Sequence, residues 1–546
     1  MNVYTSYNQV KALIGLLKPD TLLSVTSPLN VNYSIIISIY SMLSGIECIH
    51  IPVSEFEPVR ALLYEPKNFH LAVHGLKRIW EQFGIGEYEI QPGCIWDAKL
   101  MAYLLNPGLD KEHGYAVSHL TEEYPGEKYP QSSSDICDRG YPESFYWLLG
   151  QDARRIHHLA QALPRIMSVD LMGLYQETEV PLMGILARMH RDGVGVDGHA
   201  CAKEIVNIQA RMDALIHTAQ TEIKKVVDWS TDKGVYRFWG DFGWFVEDQS
   251  EDAEFILKEW PEVPFAKEIL EWRDLSSDAS FLEKAAGRDR VHPVWRQTRG
   301  ATGRIFSAVV PVQSIDKKKY RPLLVPAPGH VLLKPDYSAF QLRLLAHLSG
   351  DPHLTEAFMK NEDIHGKTAN WLGLPGTSEQ RRNQAKAINF GICFGQGAVS
   401  LASDLGVHPD QAQSYIDGFF GMYKGAGKFF DETVQSLKDQ KNTEKRVIFS
   451  PFGRVRRFTT RFTSKEARKA RVTLLQQMES DIVKQAMVGI NREFVKQGMK
   501  SKIVVMIHDS IWVEAPDEEA KKATQIMEKV MTTAADLKVP LQVKFE

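Results

Sequence analysis

Two aspartates stand where residue type and context could support chemistry. Asp336 follows the run HVLLKP, and Asp509 lies between the β-rich runs KIVVMIH and SIWVEAP. Carboxylates at strand ends are held on rigid backbone and are hard oxygen ligands, so a pair meeting in one sheet could hold divalent metal. Each taken alone also fits an Asx turn, the commoner use of such a residue. Between them, SEQRRNQAKAINFGICFGQG puts Arg382, Lys386 and Asn389/Phe390 at i, i+4 and i+7/i+8 of one helical face. Two cations beside an aromatic suit a triphosphate with a sugar or base packed next to it. A solvated basic stripe over a core phenylalanine fits the same spacing. Gly391, Gly395 and Gly397 do not make a phosphate loop, because no strand precedes them and the Lys-Ser/Thr pair is missing.

The elements that must carry these groups are legible around them. A strand over His330 to Lys334 delivers Asp336; Pro335 cannot donate to a ladder and should end that strand, and an amphipathic helix follows through Leu348. The two β-rich runs around His508-Asp509 predict a tight hairpin with Asp509 at its tip. Upstream, the apolar spacing from Tyr175 to Val227 is helical, with VPLMGILARMHRD closing on Gly193 as a C-cap. Residues 229–290 read as irregular, Trp-rich and charged, and Val309 to Ile315 as a strand. Residues 1 to about 125 mix short apolar runs (TLLSV, SIIISIY, HLAVHGL) with helical stretches, as expected of an α/β domain, and EEYPGEKYPQSSSDICDRGYPES reads as a loop near its end.

The chain has 546 residues, and domains usually hold about 100 to 200, so three or four units are expected. With 44% hydrophobic and 24% charged residues, disordered, collagen-like and disulfide-scaffold classes are excluded. Lys+Arg number 65 and Asp+Glu 68, a formal net charge of −3 that says nothing about where the charges sit. Cys48, Cys94, Cys137, Cys201 and Cys393 are scattered without a CxxC pair, which predicts free thiols in a reducing compartment and no zinc site. MNVYTSYNQVK has no signal-peptide pattern, and VNYSIIISIYSML is too short and interrupted to span a membrane. The expected setting is the cytoplasm of a bacterial or phage-infected cell, or an organellar matrix, with no secretion and no membrane partner.

With these segments together, the sequence resembles the family A DNA polymerases. DYSAFQLRLLAHLSGD is similar to the family's motif A, DYSQIELR followed by AHLSGD; RRNQAKAINFGICFG to motif B, RxxxKxxxFGxxYG; and MIHDSIWVE to motif C, VHDEL. ATGRIFSAVVPVQSI, EDIHGKTA and RKARVTLLQQMESDIVKQAM add ordered matches, and VPLMGILARMHRDGVGVD resembles the entry to the thumb, so the likeness runs from about residue 170 to the end. It implies an α/β and α+β multidomain right hand, with an N-terminal RNase H-like 3′-5′ exonuclease-type domain at 1–165. A thumb at 166–290, palm at 291–350 and 454–546, and fingers at 351–453 complete the expected architecture. It further implies DNA-directed DNA synthesis by a monomer on primer-template DNA with dNTPs and two Mg²⁺ ions, for which Mn²⁺ can substitute. Asp336 and Asp509 would hold the metals, with Tyr337 beside them. Arg382, Lys386 and His365 would contact the triphosphate, and Lys386 would also protonate the leaving group. Phe390, Gln341, Phe394 and Tyr337 would face the nucleotide, while Arg304, Gln313, Arg468, Gln476 and His508 would touch primer-template. From Arg454 to Arg471 eight Lys/Arg, including Arg456 and Arg457, accompany the single acid Glu466, a basic run suited to phosphates beside Phe458 and Phe462.

Three positions depart from the pattern: Gln341 stands for the motif A Glu, Phe394 for the motif B Tyr, and Ser510 for the motif C Glu. The Glu and Tyr lie beneath the incoming sugar in the family. Gln keeps the bulk of Glu but can hydrogen-bond a 2′-hydroxyl, so altered sugar discrimination is expected. A polymerase that also uses ribonucleotides and a silent DNA-binding scaffold are the alternatives; an RNA polymerase initiating unaided fits less well. In the N-terminal part, CIWDAKLMAYLLNPG resembles the exonuclease's DTMLAAYLLNP. Its acids are gone, with Ser24 and Thr26 at DxE, Gly75 at the second Asp, and Leu148 before a retained Asp152. One carboxylate cannot hold two metals, so an inactive remnant is expected, with Asp97 as a loop acid and His157-His158 on a solvated face. Since the exonuclease-like pattern begins almost at Met1, no preceding 5′-nuclease domain is expected.

Overall fold

The computed structural model describes residues 3–4, 6–15, 22–26, 29–31, 34–41, 45–52, 70–83, 92–107, 114–124, 142–245, 253, 256–257, 262–440, 446–459 and 462–545. Cys137, Arg461 and most of the predicted 122–144 loop lie outside these residues, as do the side chains of Cys48, Leu148 and Lys465. Cys201 and Cys393 are free thiols.

The N-terminal apolar runs form one mixed sheet in the order 3–4, 45–52, 34–41, 22–25, 70–73, 95–97, with 29–31 also paired to 34–41. Leu22–Val25, His70–Val73 and Ile95–Asp97 run parallel and bury most of their apolar residues, as expected of strands covered on both faces. The helix Pro142–Ile166 packs on this sheet. Two expectations change here. Asp97 is buried at a strand end, not in a loop: it caps the helix Ala98–Leu105 by accepting from the Lys99 and Leu100 amides, and also takes the Gly75 and Leu76 amides. His157 is buried rather than solvated, with Nδ1 2.9 Å from Ser24 Oγ.

The helix Val180–Asp192 continues from a π-helical turn, Tyr175–Glu179, and ends at Gly193 with φ +62. A Cβ there would lie 2.4 Å from the Val291 carbonyl oxygen, so the stop requires glycine. Residues 229–290 are more regular than their aromatic spacing suggested: Asp232–Gly240 and Ala266–Ala285 are helices around a separate core of Trp229, Trp239, Phe238 and Ile269. The helix Gly198–Ile223 packs along Ala266–Ala285. The strand expected at Val309 to Ile315 is instead Phe306–Ala308, paired with Val294–Arg296, because the chain turns at Val309 with φ +67.

The second half is organised by an antiparallel sheet in the order 330–333, 510–516, 335–337, 543–545, with 502–507 on the remaining side of 510–516. Pro335 does end the first strand, yet it also opens the short strand Pro335–Tyr337, where its missing N–H is tolerated at the first position. A 33-residue helix, Ser464–Lys496, starts at the Thr463 cap and is buried on every side over 477–484. Beside it lies a buried charge cluster that overturns the placement of Arg454 on a DNA-facing surface. Arg454 is 1% exposed; its guanidinium donates to Asp481 Oδ1 at 2.8 and 2.6 Å and to Glu179, which also accepts from Lys484 Nζ at 2.7 Å. Burial alone would raise the Glu179 carboxyl, but Lys484 and Arg454 outweigh it and hold it at about 2. Among the described residues no helix is long and apolar enough to cross a membrane.

Candidate active site

Strand register brings the two predicted aspartates together. Asp336 pairs with Ser510, the neighbour of Asp509, and His508-Asp509 forms the turn between Lys502–Ile507 and Ser510–Pro516, with His508 at φ +56. Ser510 Oγ donates to the Pro335 carbonyl at 2.7 Å, tying the hairpin to the Asp336 strand. Burial first, then the neighbouring Asp336 and Glu479 carboxylates, hold the Asp509 carboxyl well above the ordinary range. Such a pair is costly when both acids ionise, and a divalent cation between them removes the repulsion. Among the described residues no group of three or more His, Cys, Asp and Glu is gathered to hold a metal. Asp336 and Asp509 are hard oxygen ligands, a donor type that suits Mg²⁺ better than Zn²⁺.

These aspartates line a cavity of about 970 Å³ that also takes in Arg382, Lys386, His365, Phe390 and Phe394. The helix Ser378–Cys393 delivers Arg382, Lys386 and Phe390, with Phe394 as its C-cap; it begins in a capping box in which the Thr377 hydroxyl accepts the Gln380 amide and Gln380 Oε1 accepts the Thr377 amide. Lys386 Nζ lies 5.9 Å from the Phe390 ring centre. Arg382 donates to both oxygens of Asp363, at 2.7 and 3.1 Å. Asn389 does not share the exposed face: it is buried, and its Nδ2 donates to His365 Nδ1 at 3.0 Å and Thr368 Oγ1 at 3.2 Å. That bond makes Nδ1 the acceptor, so a neutral His365 carries its proton on Nε2. Burial and the nearby Arg382 lower His365 to about 4, in keeping with the neutral form.

Other predicted residues are placed less simply. The Tyr337 ring stacks on Phe340 at 4.3 Å and its hydroxyl donates to the Met531 carbonyl at 2.8 Å, so only its main chain is left for the site. Gln313 is engaged internally: Nε2 donates to the Ile305 and Met506 carbonyls, both at 3.1 Å, and Oε1 accepts the Ser307 amide at 2.8 Å. Arg304 reaches the cavity but pairs with Glu479 at 2.8 Å. His508 is exposed at the cavity rim, and Arg468 and Gln476 lie half-buried on the long helix. Arg456 sits 5.3 Å over Phe458, and Arg457 Nε donates to the Leu105 carbonyl.

Among the cavity residues that sequence reasoning passed over are Glu479, Asp363 and Arg343. Arg343 is buried, braces the Ser338 carbonyl and Gln542, and lies 4.5 Å over Phe358. A charged residue inside the apolar run FQLRLLAHL was the available signal for it.

The matched family model is DNA polymerase family A, over residues 247–546, more than half of the chain. The chain belongs to that family. Family A relatives include DNA polymerase I of Rhizobium leguminosarum, 26% identical over 90% of this chain and 52% of that protein. DNA polymerase I of Pseudomonas aeruginosa is 29% identical over 89% of this chain and 56% of that protein. The chain thus spans about half the length of these curated relatives. Among solved structures, the POL domain of Pol1 from M. smegmatis, in complex with DNA primer-template and dNTP, superposes with a TM-score of 0.79 at 22% identity, covering 100% of this chain and 98% of that one. At that identity the likeness concerns the fold.

Proposed function

We propose that the chain is a DNA-directed DNA polymerase that extends a primer 3′-end on a template. The observation that carries the reading is the convergence of Asp336 and Asp509 with Arg382, Lys386, His365 and Phe390 in one cavity. In this reading residues 291–350 and 454–546 act as palm, 351–453 as fingers, 166–290 as thumb and 1–165 as an exonuclease-like domain. Asp336 and Asp509 would hold two Mg²⁺, which when bound lower the primer hydroxyl's pKa and neutralise the phosphates. The side chains do the rest by position and charge. Arg382 and Lys386 bind the triphosphate, His365 Nε2–H donates to a phosphate oxygen, and Phe390 packs on the nucleotide. Lys386 Nζ gives a proton to the departing pyrophosphate. Arg304, Arg468, Gln476 and His508 face the primer-template. The decisive test is primer extension with Mg²⁺: wild type should lengthen the primer and Asp509→Ala should lose at least about 10³-fold in rate. An inactive wild type that still binds DNA would favour the scaffold reading.

Loss of proofreading belongs to the same proposal. Ser24 is bonded to His157 and the surviving acid, Asp152, forms an ion pair with Arg155 at 2.8 Å; neither arrangement favours two-metal chemistry. Relaxed sugar choice is the second reading, favoured by the buried Gln341: its Nε2 donates to Glu479 while its Oε1 has no partner in the structure and could accept a hydroxyl. Incorporation of rATP against dATP measures it.

A further inference from the structure

Glu479 was not singled out by any motif, yet it lines the cavity together with Asp336 and Asp509. It is 3% exposed, on the long helix Ser464–Lys496. One oxygen accepts from Gln341 Nε2 at 2.7 Å and the other from Arg304 Nη2 at 2.8 Å. The positions where the resemblance places acids, Gln341 and Ser510, carry none. We infer that Glu479 supplies the carboxylate missing from the sugar-facing side of the site, and positions Gln341 and Arg304 as one unit.

The inference rests on the polymerase reading and deepens it. Chemistry fixes the orientation of the Gln341 amide, since a carboxylate can only accept and therefore takes the nitrogen. The oxygen is left as the acceptor of that side chain, so residue 479 decides which end of Gln341 is available to a nucleotide. The same carboxylate neutralises Arg304, so the proposed primer-side contact and the proposed sugar-side contact share one anchor. Two charge-assisted bonds to one buried acid also explain how a glutamate is tolerated beside Asp336 and Asp509.

The arrangement makes an unusual demand on mutants. Gln341→Glu restores the family's motif A residue, yet it sets two buried carboxylates at hydrogen-bond distance without a donor between them. Glu479→Gln removes the charge that holds Arg304. The double variant Q341E/E479Q reverses donor and acceptor while keeping one acid and one amide. The test measures kcat/KM for dATP and rATP, and thermal melting, in the full chain and these three variants. Q341E is expected to lose on the order of 10- to 100-fold in dATP kcat/KM, the effect of one charge-assisted hydrogen bond. It should also melt lower, with the double variant recovering most of both losses. The rATP/dATP ratio should shift in E479Q, which a purely structural role would not produce. Wild-type behaviour of Q341E, a double variant no better than the worse single, or an unchanged ratio in E479Q overturns the inference. If wild type extends no primer, the polymerase reading fails, while the melting pattern still tests the pairing.

Discussion

Replacing Arg454 by leucine separates two roles that the sequence could not distinguish. A cation on a DNA-facing surface would contribute to affinity and little to stability; a buried one should do the opposite. Arg454 makes two bonds to Asp481 and one to Glu179, with the pair side chains 1% and 0% exposed. Removing one partner of a buried ion pair costs about 3–5 kcal/mol, because a charge is left behind without compensation. Lys484 would remain for Glu179, and Asp481, already raised by burial, could take a proton, which limits the loss to the lower end. Arg454→Leu should therefore lower the melting temperature by on the order of 5 °C. The salt dependence of duplex affinity, which drops by roughly 0.9 in slope per lost phosphate contact, should stay as in wild type. Gly303→Ala should act in the same direction, since Gly303 has φ +86 and a Cβ there would lie 2.6 Å from Arg454 Nε. Melting and salt-titrated binding on the same preparations settle the matter. An Arg454→Leu protein that melts like wild type but binds duplex with a flatter salt slope would refute the buried-anchor argument.

Three further outcomes are expected. His365, held neutral down to about 4, takes its proton near pH 6.5 once unfolded, so the unfolded chain binds more protons between these values. Stability should fall as pH drops through that window by up to about 3 kcal/mol. Chemical unfolding of wild type and His365→Gln at pH 7 and 5 checks this, and an equal decline in both excludes His365 as the cause. The Arg382–Asp363 pair is about half exposed on both sides, worth at most about 1 kcal/mol, so Asp363→Asn should lower the dNTP KM by no more than about fivefold; a raised KM would mean that Asp363 aims Arg382 instead of competing for it. A primer with a mismatched 3′ end should not be shortened in Mg²⁺ or Mn²⁺; release of terminal nucleotide would refute the proposed loss of proofreading, and release that persists in Asp152→Ala would place the nuclease chemistry away from Asp152.

What could be read from sequence was what depended on local pattern. Asp336 and Asp509 are flanked by β-rich runs with a proline and a polar turn between them, and strand register then had only to bring them side by side. The helix carrying Arg382, Lys386 and Phe390 was legible because its cationic and aromatic spacing is local; its capping box at Thr377 and Gln380 was there to be read as well. What could not be read depended on contacts distant in sequence. Gln313 looks like a free amide until the Met506 carbonyl, 193 positions away, takes its N–H. Asp97 looks like a loop acid until four backbone amides converge on it. The helix Ala266–Ala285 was obscured because aromatic and charged residues interrupt its apolar period.

The segment QQMESD shows why phase matters more than composition. Glu479 and Asp481 are two residues apart, about 200° around a helix, so they cannot serve the same neighbour. Glu479 faces the cavity and takes Gln341 and Arg304; Asp481 faces away and takes Arg454. The helix is buried on all sides here, so no apolar stripe in the sequence marks which acid points where. The same geometry revises the meaning of the near-zero net charge of −3. Arg454 and Lys484 cancel Glu179 and Asp481 in the interior, and Arg304 cancels Glu479 at the cavity wall. Cations available to a DNA backbone must therefore be sought among the exposed positions of the basic run, such as Lys469 and Arg471. Its first arginine is already committed to holding the long helix against the Tyr175–Glu179 turn.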